Sequence, residues 1–171
     1  MAKPQFHRKS IRLHDFNYSS SGAYFVTICA YRKESIFGDV KNCDVVLKEV
    51  GCMVDQCWHD IPRHFPMVEL DEFIVMPNHV HGIIWIRDHD RISVGANDYL
   101  PLRGHGTSKT IGSIVRGFKI GVVKMYGELI WQRNYYERVI HNENELFAIR
   151  KYIIKNPLKW EMDPEKPRPK R

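Results

Sequence analysis

VELDEFIVMPNHVHGIIWI, Val68 to Ile86, decides the fold. It holds two runs rich in β-branched and aromatic residues, Val68–Met76 and Val80–Ile86, parted by Pro77-Asn78, a turn signal that joins antiparallel neighbours. Upstream, Tyr24–Tyr31 (YFVTICAY) follows the turn-forming Ser19-Ser20-Ser21-Gly22 and reads as a buried strand. Between them, Leu47, Val50, Val54, Trp58 and Ile61 recur every three or four residues, which predicts an amphipathic helix over Leu47–Phe65, broken by Pro62 and Pro66.

Downstream, Arg87 to Gly106 lacks periodicity and reads as a long loop of the kind that contacts ligands. Ser108–Tyr126 is helical by its apolar spacing, with Gly127 as the stop signal. Trp131–Ile140 is a strand candidate, and Asn142–Trp160 a helix capped by Asn142 with Glu143 and Glu145 in its first turn. The order β-α-β-β-α-β plus a C-terminal helix predicts an α+β protein: a ferredoxin-like (RRM-like) antiparallel sheet with helices on one face. Residues 1–163 form one domain with a basic arm at 1–22, and residues 164–171 (PEKPRPKR) a basic tail.

Lys and Arg number 26 against 20 Asp and Glu, so the chain favours an anionic partner, nucleic acid first. No apolar run is long enough to span a bilayer and no hydrophobic leader follows the N-terminal charges, which points to a cytoplasmic protein without a membrane partner. The four cysteines read as reduced thiols. Cys52, Cys57, His59 and His64 fit no common zinc spacing.

His79 and His81 flank Val80 at the start of a strand, so their imidazoles stand on one face, where a pair of neutral rings can bind a divalent metal. In the last helix Tyr152 and Asn156 are four residues apart and share a face beside the apolar stripe of Leu146, Ile149 and Ile153. By spacing alone the same two residues also fit a tyrosine at the core edge and an asparagine that ends a helix before Pro157. The adjacent Tyr135 and Tyr136 are rival nucleophiles, but on a strand they face opposite sides. Arg103, Lys109, Arg116, Lys119 and Lys124 occupy a stretch without acids, Leu100 to Gly127, and are candidates for binding phosphates, or else form a solvated basic face. Tyr99 and Trp131 are candidates for stacking on bases or for the core.

MPNHVHGIIW (Met76–Trp85), WQRNYYERVI (Trp131–Ile140) and IRKYIIKNPLKW (Ile149–Trp160), with the opening RKSIRLHDFNYSSSGAYFVTICAYRKESIFG, resemble the signature segments of the single-tyrosine HUH transposases, specifically the REP-associated tyrosine transposase branch. The resemblance implies that Tyr152 is the nucleophile, that His79 and His81 are the metal-binding pair, and that Asn156 is the third ligand, where other members place Gln. It also implies Mg²⁺ or Mn²⁺ as cofactor and cleavage of single-stranded DNA beside hairpins of REP-like repeats through a 5′-phosphotyrosine intermediate. Whether the chain is a homodimer or a monomer stays open, as does active transposition against domesticated repeat processing. A non-catalytic single-stranded nucleic-acid-binding domain of the same fold is the alternative.

Overall fold

Six consecutive buried residues, Ala23 to Ile28, make β1 (Gly22–Cys29) a strand covered on both faces. The computed structural model describes residues 21–87 and 110–162; nearly all of the N-terminal arm, residues 88–109 with Tyr99, Arg103 and Lys109, and the basic tail lie outside the described residues. After β1 come a hairpin of β2 (Gly38–Lys41) and β3 (Asp44–Leu47), helices α1 (Glu49–His59) and α2 (Ile61–His64), strands β4 (Val68–Val75) and β5 (His79–Ile86), helix α3 (Ile111–Tyr126), strand β6 (Tyr136–Ile140) and helix α4 (Glu143–Ile154).

The main sheet has the order β4-β5-β1-β6 with every neighbour antiparallel. The α-helical crossovers from β1 to β4 and from β5 to β6 make it the expected ferredoxin-like sheet. Alternation along each strand divides the core into two layers. Tyr24, Val26, Ile28, Val80, Ile84 and Ile86 face α1 and α3, meeting Val54, Trp58, Ile114, Phe118 and Val122. Ala23, Phe25 and Ile83 face the other way and are covered by Leu146 and Ile153 of α4. Two helices therefore share one face as expected, while among the described residues α4 covers the opposite face.

Local chemistry moves several boundaries. The expected first strand stops at Cys29, because Ala30 makes a lone bridge to Trp131 and the chain then turns through Arg32 and Lys33, both at positive φ (53° and 56°). The expected helix from Leu47 to Phe65 loses its first residues to β3 and breaks at Asp60, after which Pro62 sits in the first turn of α2, where its missing N–H has no partner to lose. The β2–β3 hairpin was not foreseen: its strands have four residues each, and its turn places Asn42 and Cys43 at φ 53° and 66°. Only Tyr136–Ile140 of the expected Trp131–Ile140 strand joins the ladder. The last helix ends at Ile154, before Pro157, and continues as a 3-10 turn over Pro157–Met162.

Caps hold both long helices as their sequences suggest. Asn142 Oδ1 accepts from the Glu145 N–H at 2.9 Å, capping α4, and Glu145 Oε2 accepts from the N–H of His141, the residue before the cap, at 2.9 Å. Thr110 caps α3, and Gly127 at φ 91° ends it. Gly82 is required by a close approach: a Cβ there would lie 2.3 Å from the Trp58 ring, which stacks on Phe73 with centroids 4.3 Å apart.

A candidate histidine and tyrosine centre on the sheet

His79 and His81 occupy alternate positions of β5 on the α4 face, both almost wholly buried, and their Nε2 atoms approach to 3.0 Å. Each ring is oriented from behind. His79 Nδ1 lies 2.8 Å from Asn78 Oδ1, while Asn78 Nδ2 donates to the Lys33 carbonyl at 3.0 Å. With its amide oxygen turned to the ring, Asn78 can only accept, so neutral His79 carries its proton on Nδ1 and presents a lone pair at Nε2. His81 Nδ1 lies 2.9 Å from Thr27 Oγ1 of β1, and Phe25 stacks on its ring at a centroid distance of 5.4 Å. Burial, helped by the Lys33 cation, pushes the His79 pKa down to about 3, so the ring is neutral at physiological pH as a metal ligand must be.

α4 brings the third element. Tyr152 Oη lies 3.2 Å from His81 Nε2 within the same chain, its ring edge-on to Phe25 at 6.1 Å and 41% of the residue open to solvent. One turn later Asn156 is 3% exposed, and its Oδ1 accepts no hydrogen bond among the described residues. A buried amide oxygen without a donor is costly unless something absent here satisfies it. Two imidazoles and one such oxygen offer an N,N,O donor set that suits several divalent ions, so these residues fit the metal that the family resemblance implies. Trp160, in the turn after α4, closes over His79 with ring centroids 6.1 Å apart.

No protein-family model matches the chain. An uncharacterized protein of Haemophilus influenzae is 47% identical over 167 residues, spanning 92% of each chain. Among solved structures, the REP-associated tyrosine transposase bound to a REP hairpin superposes with a TM-score of 0.62 at 19% identity, over 88% of this chain and 74% of that one. The chain belongs to the family of the Haemophilus influenzae protein and has the fold of the REP-associated tyrosine transposase.

Within this transposase fold, the position of Tyr152 depends on a clamp that sequence reading missed. Asp71 of β4 accepts two hydrogen bonds from Arg150, Nε at 2.8 Å and Nη2 at 2.6 Å, together with one from Trp85 Nε1 at 2.8 Å and one from the Glu72 N–H at 2.7 Å. Four donors, the two from Arg150 foremost, hold its carboxyl at about 2 despite partial burial. The clamp ties α4 to the sheet two residues before the tyrosine, at the irregularity between Leu70 and Phe73 where β4 slips register against β5. Asn78 was legible as the neighbour of His79 in the sequence; Thr27 and Asp71, 54 and 79 residues from their partners, carried no local signal.

The cations foreseen on α3 sit behind the sheet, on the layer opposite His79, His81 and Tyr152. Lys119 Nζ donates to the carbonyls of Gln132 at 2.8 Å and Asn134 at 3.2 Å, and burial lowers its pKa to about 8, so it staples α3 to the segment before β6. Arg116 and Lys124 are exposed. Tyr136 shares the site's face but pairs with Thr27 on the far side of β1 from His81, whereas Tyr135 is hydrogen-bonded to Glu137 at 2.6 Å and packs with Trp131 against the α1/α3 core. No described helix is long and apolar enough to cross a membrane.

Proposed function

We propose that the chain is a metal-dependent single-stranded DNA endonuclease and strand transferase of the transposase type, acting beside DNA hairpins through a 5′-phosphotyrosine intermediate. The observation that carries this reading is the approach of Tyr152 Oη to 3.2 Å from His81 Nε2, itself 3.0 Å from His79 Nε2. A phenol on a solvent-open edge, beside two buried imidazoles and a buried amide oxygen that accepts no hydrogen bond among the described residues, suits attack on a phosphodiester better than it suits a core tyrosine.

His79, His81 and Asn156 would hold the divalent ion, Mg²⁺ or Mn²⁺, which when bound supplies Lewis-acid polarisation of the scissile phosphate. Tyr152 attacks phosphorus. The Tyr152 Oη–P bond forms, the P–O3′ bond breaks, the phenolic proton passes to solvent on the open side of the ring, and the departing 3′ oxygen takes up a proton. The new linkage replaces one phosphodiester by another, so an incoming 3′ hydroxyl reverses the step and joins a strand without ATP. Asn78 and Thr27 fix the imidazole orientations, and the Asp71–Arg150 clamp positions the helix that carries the nucleophile. Support for a hairpin substrate comes from the solved structure of the same fold, which has a REP hairpin bound. Arg116 and Lys124 lie behind the sheet, so any phosphate they bind belongs to DNA distant from the scissile bond.

The test is a denaturing gel after incubation with labelled hairpin oligonucleotides from the DNA flanking the gene, with Mn²⁺ or with EDTA. A metal-dependent covalent adduct that disappears in Tyr152→Phe and His79→Ala is the expected result. Tight hairpin binding without an adduct under any metal overturns the nuclease in favour of a binding domain.

A further inference from the structure

Helix α4 should hide its apolar residues, yet Phe147 is 67% and Ile154 59% exposed, on the side turned away from Leu146 and Ile153. With about 100° per residue, Phe147, Lys151, Ile154 and Lys155 form one continuous face, and Tyr152 stands at its border. These four residues, with Arg150 of α4 and Glu72 of β4, line an open cleft of about 460 Å³. Leu158 and Lys159, in the turn after the helix, are exposed as well.

Charge decides what such a face accepts. The Arg150 guanidinium is paired with Asp71, which leaves Lys151 and Lys155 as the cations of the cleft against the single acid Glu72. A second copy of the chain packed face to face would bring a second pair of these lysines into the interface with only Glu72 of each cleft to offset them. Unpaired nucleic acid meets both demands at once, since a base offers a flat surface to Phe147 while its phosphates meet lysines. Phe147 and Tyr152 are five residues apart, about 7.5 Å along the helix axis and about 140° around it, so a strand leaving Tyr152 reaches Phe147 by crossing the ridge of Lys151 and Lys155.

We infer that this face of α4 binds unpaired DNA a few nucleotides from the scissile phosphate, a base on Phe147 and Ile154 and the flanking phosphates on Lys151 and Lys155. The site rests on the proposed nuclease reading for its place on the helix that carries Tyr152. It gives the helix that carries the nucleophile a second task, to hold the single strand in line.

The experiment measures fluorescence anisotropy with a labelled DNA hairpin carrying short unpaired flanks and with the same hairpin blunt-ended, in the full chain bearing Tyr152→Phe so that no covalent step contributes. Adding Phe147→Ala should raise Kd for the flanked hairpin by roughly 5- to 150-fold and leave the blunt one unchanged, with Phe147→Trp restoring affinity. Lys151→Ala and Lys155→Ala should each reduce the dependence of log K on log salt by about 0.7. Equal affinity of the Phe147→Ala chain for the flanked hairpin overturns the inference, as does an equal loss on both hairpins. A shift from dimer to monomer on gel filtration in Phe147→Ala assigns the face to self-association and also overturns it. Failure of adduct formation by the unmodified chain is read separately and sinks the nuclease reading instead.

Discussion

Replacing Asp71 by Asn keeps the size of the side chain and removes its charge. In the parent, one carboxylate oxygen accepts from Arg150 Nε and the Glu72 N–H, and the other from Arg150 Nη2 and Trp85 Nε1. An amide nitrogen in place of either oxygen faces two donors, so two of the four hydrogen bonds are lost whichever way it turns. The carboxyl sits at about 2 against an ordinary 3.8, and at about 1.4 kcal/mol per pH unit this caps the electrostatic contribution at about 2.5 kcal/mol. The Arg150 side chain is 41% exposed, so solvent screening reduces the expected loss to about 1 kcal/mol. Urea unfolding followed by tryptophan fluorescence measures it. Because the folded-state pKa is depressed, the contribution is complete above the ordinary carboxyl range and is lost as pH falls through about 2. The gap between parent and variant therefore persists from neutral pH down to about 4 and narrows below. The chemical consequence should exceed the stability change: with α4 loosened two residues before Tyr152, adduct formation by the still-folded variant should slow by about tenfold or more. An Asp71→Asn chain with the parent's urea midpoint and the parent's rate of adduct formation would refute the clamp.

Three further outcomes follow from the structure. His79 stays neutral to about pH 3 in the fold, whereas its ordinary pKa is 6.5, so the unfolded chain binds the extra proton between those values and stability declines as pH falls through that window; His79→Gln should flatten the slope in pH-resolved urea titrations. Gly82→Ala drives a methyl into the Trp58 ring and should cost about 1–3 kcal/mol, seen as a lower thermal midpoint with unchanged secondary structure by circular dichroism. Asn142→Ala removes the cap of α4 and should destabilise the chain by about 1 kcal/mol, and an unaltered urea midpoint would show that Glu145 and the clamp suffice to hold the helix.

Local pattern carries further in some segments than in others, and the reason is the range of the interaction involved. β4 and β5 were legible because β-branched and aromatic runs around Pro77-Asn78 encode a hairpin through contacts near in sequence, and α3 and α4 because apolar spacing and the caps Asn142 and Gly127 act within one or two turns. The candidate residues His79, His81, Tyr152 and Asn156 were likewise found from alternation along a strand, the four-residue spacing on a helix and the resemblance of three separated segments. The β2–β3 hairpin escaped because strands of four residues with partly exposed side chains leave almost no periodic signal. Only the folded chain decided that α4 takes the sheet face opposite α1 and α3, since an amphipathic helix announces that it has an apolar side but not which surface will cover it. From that single placement come the contact of Tyr152 with His81, the burial of Asn156 and the Asp71–Arg150 clamp. Each joins residues many positions apart, and such pairings arise when the two faces of one sheet are filled, a competition among all the helices that no local stretch of sequence contains.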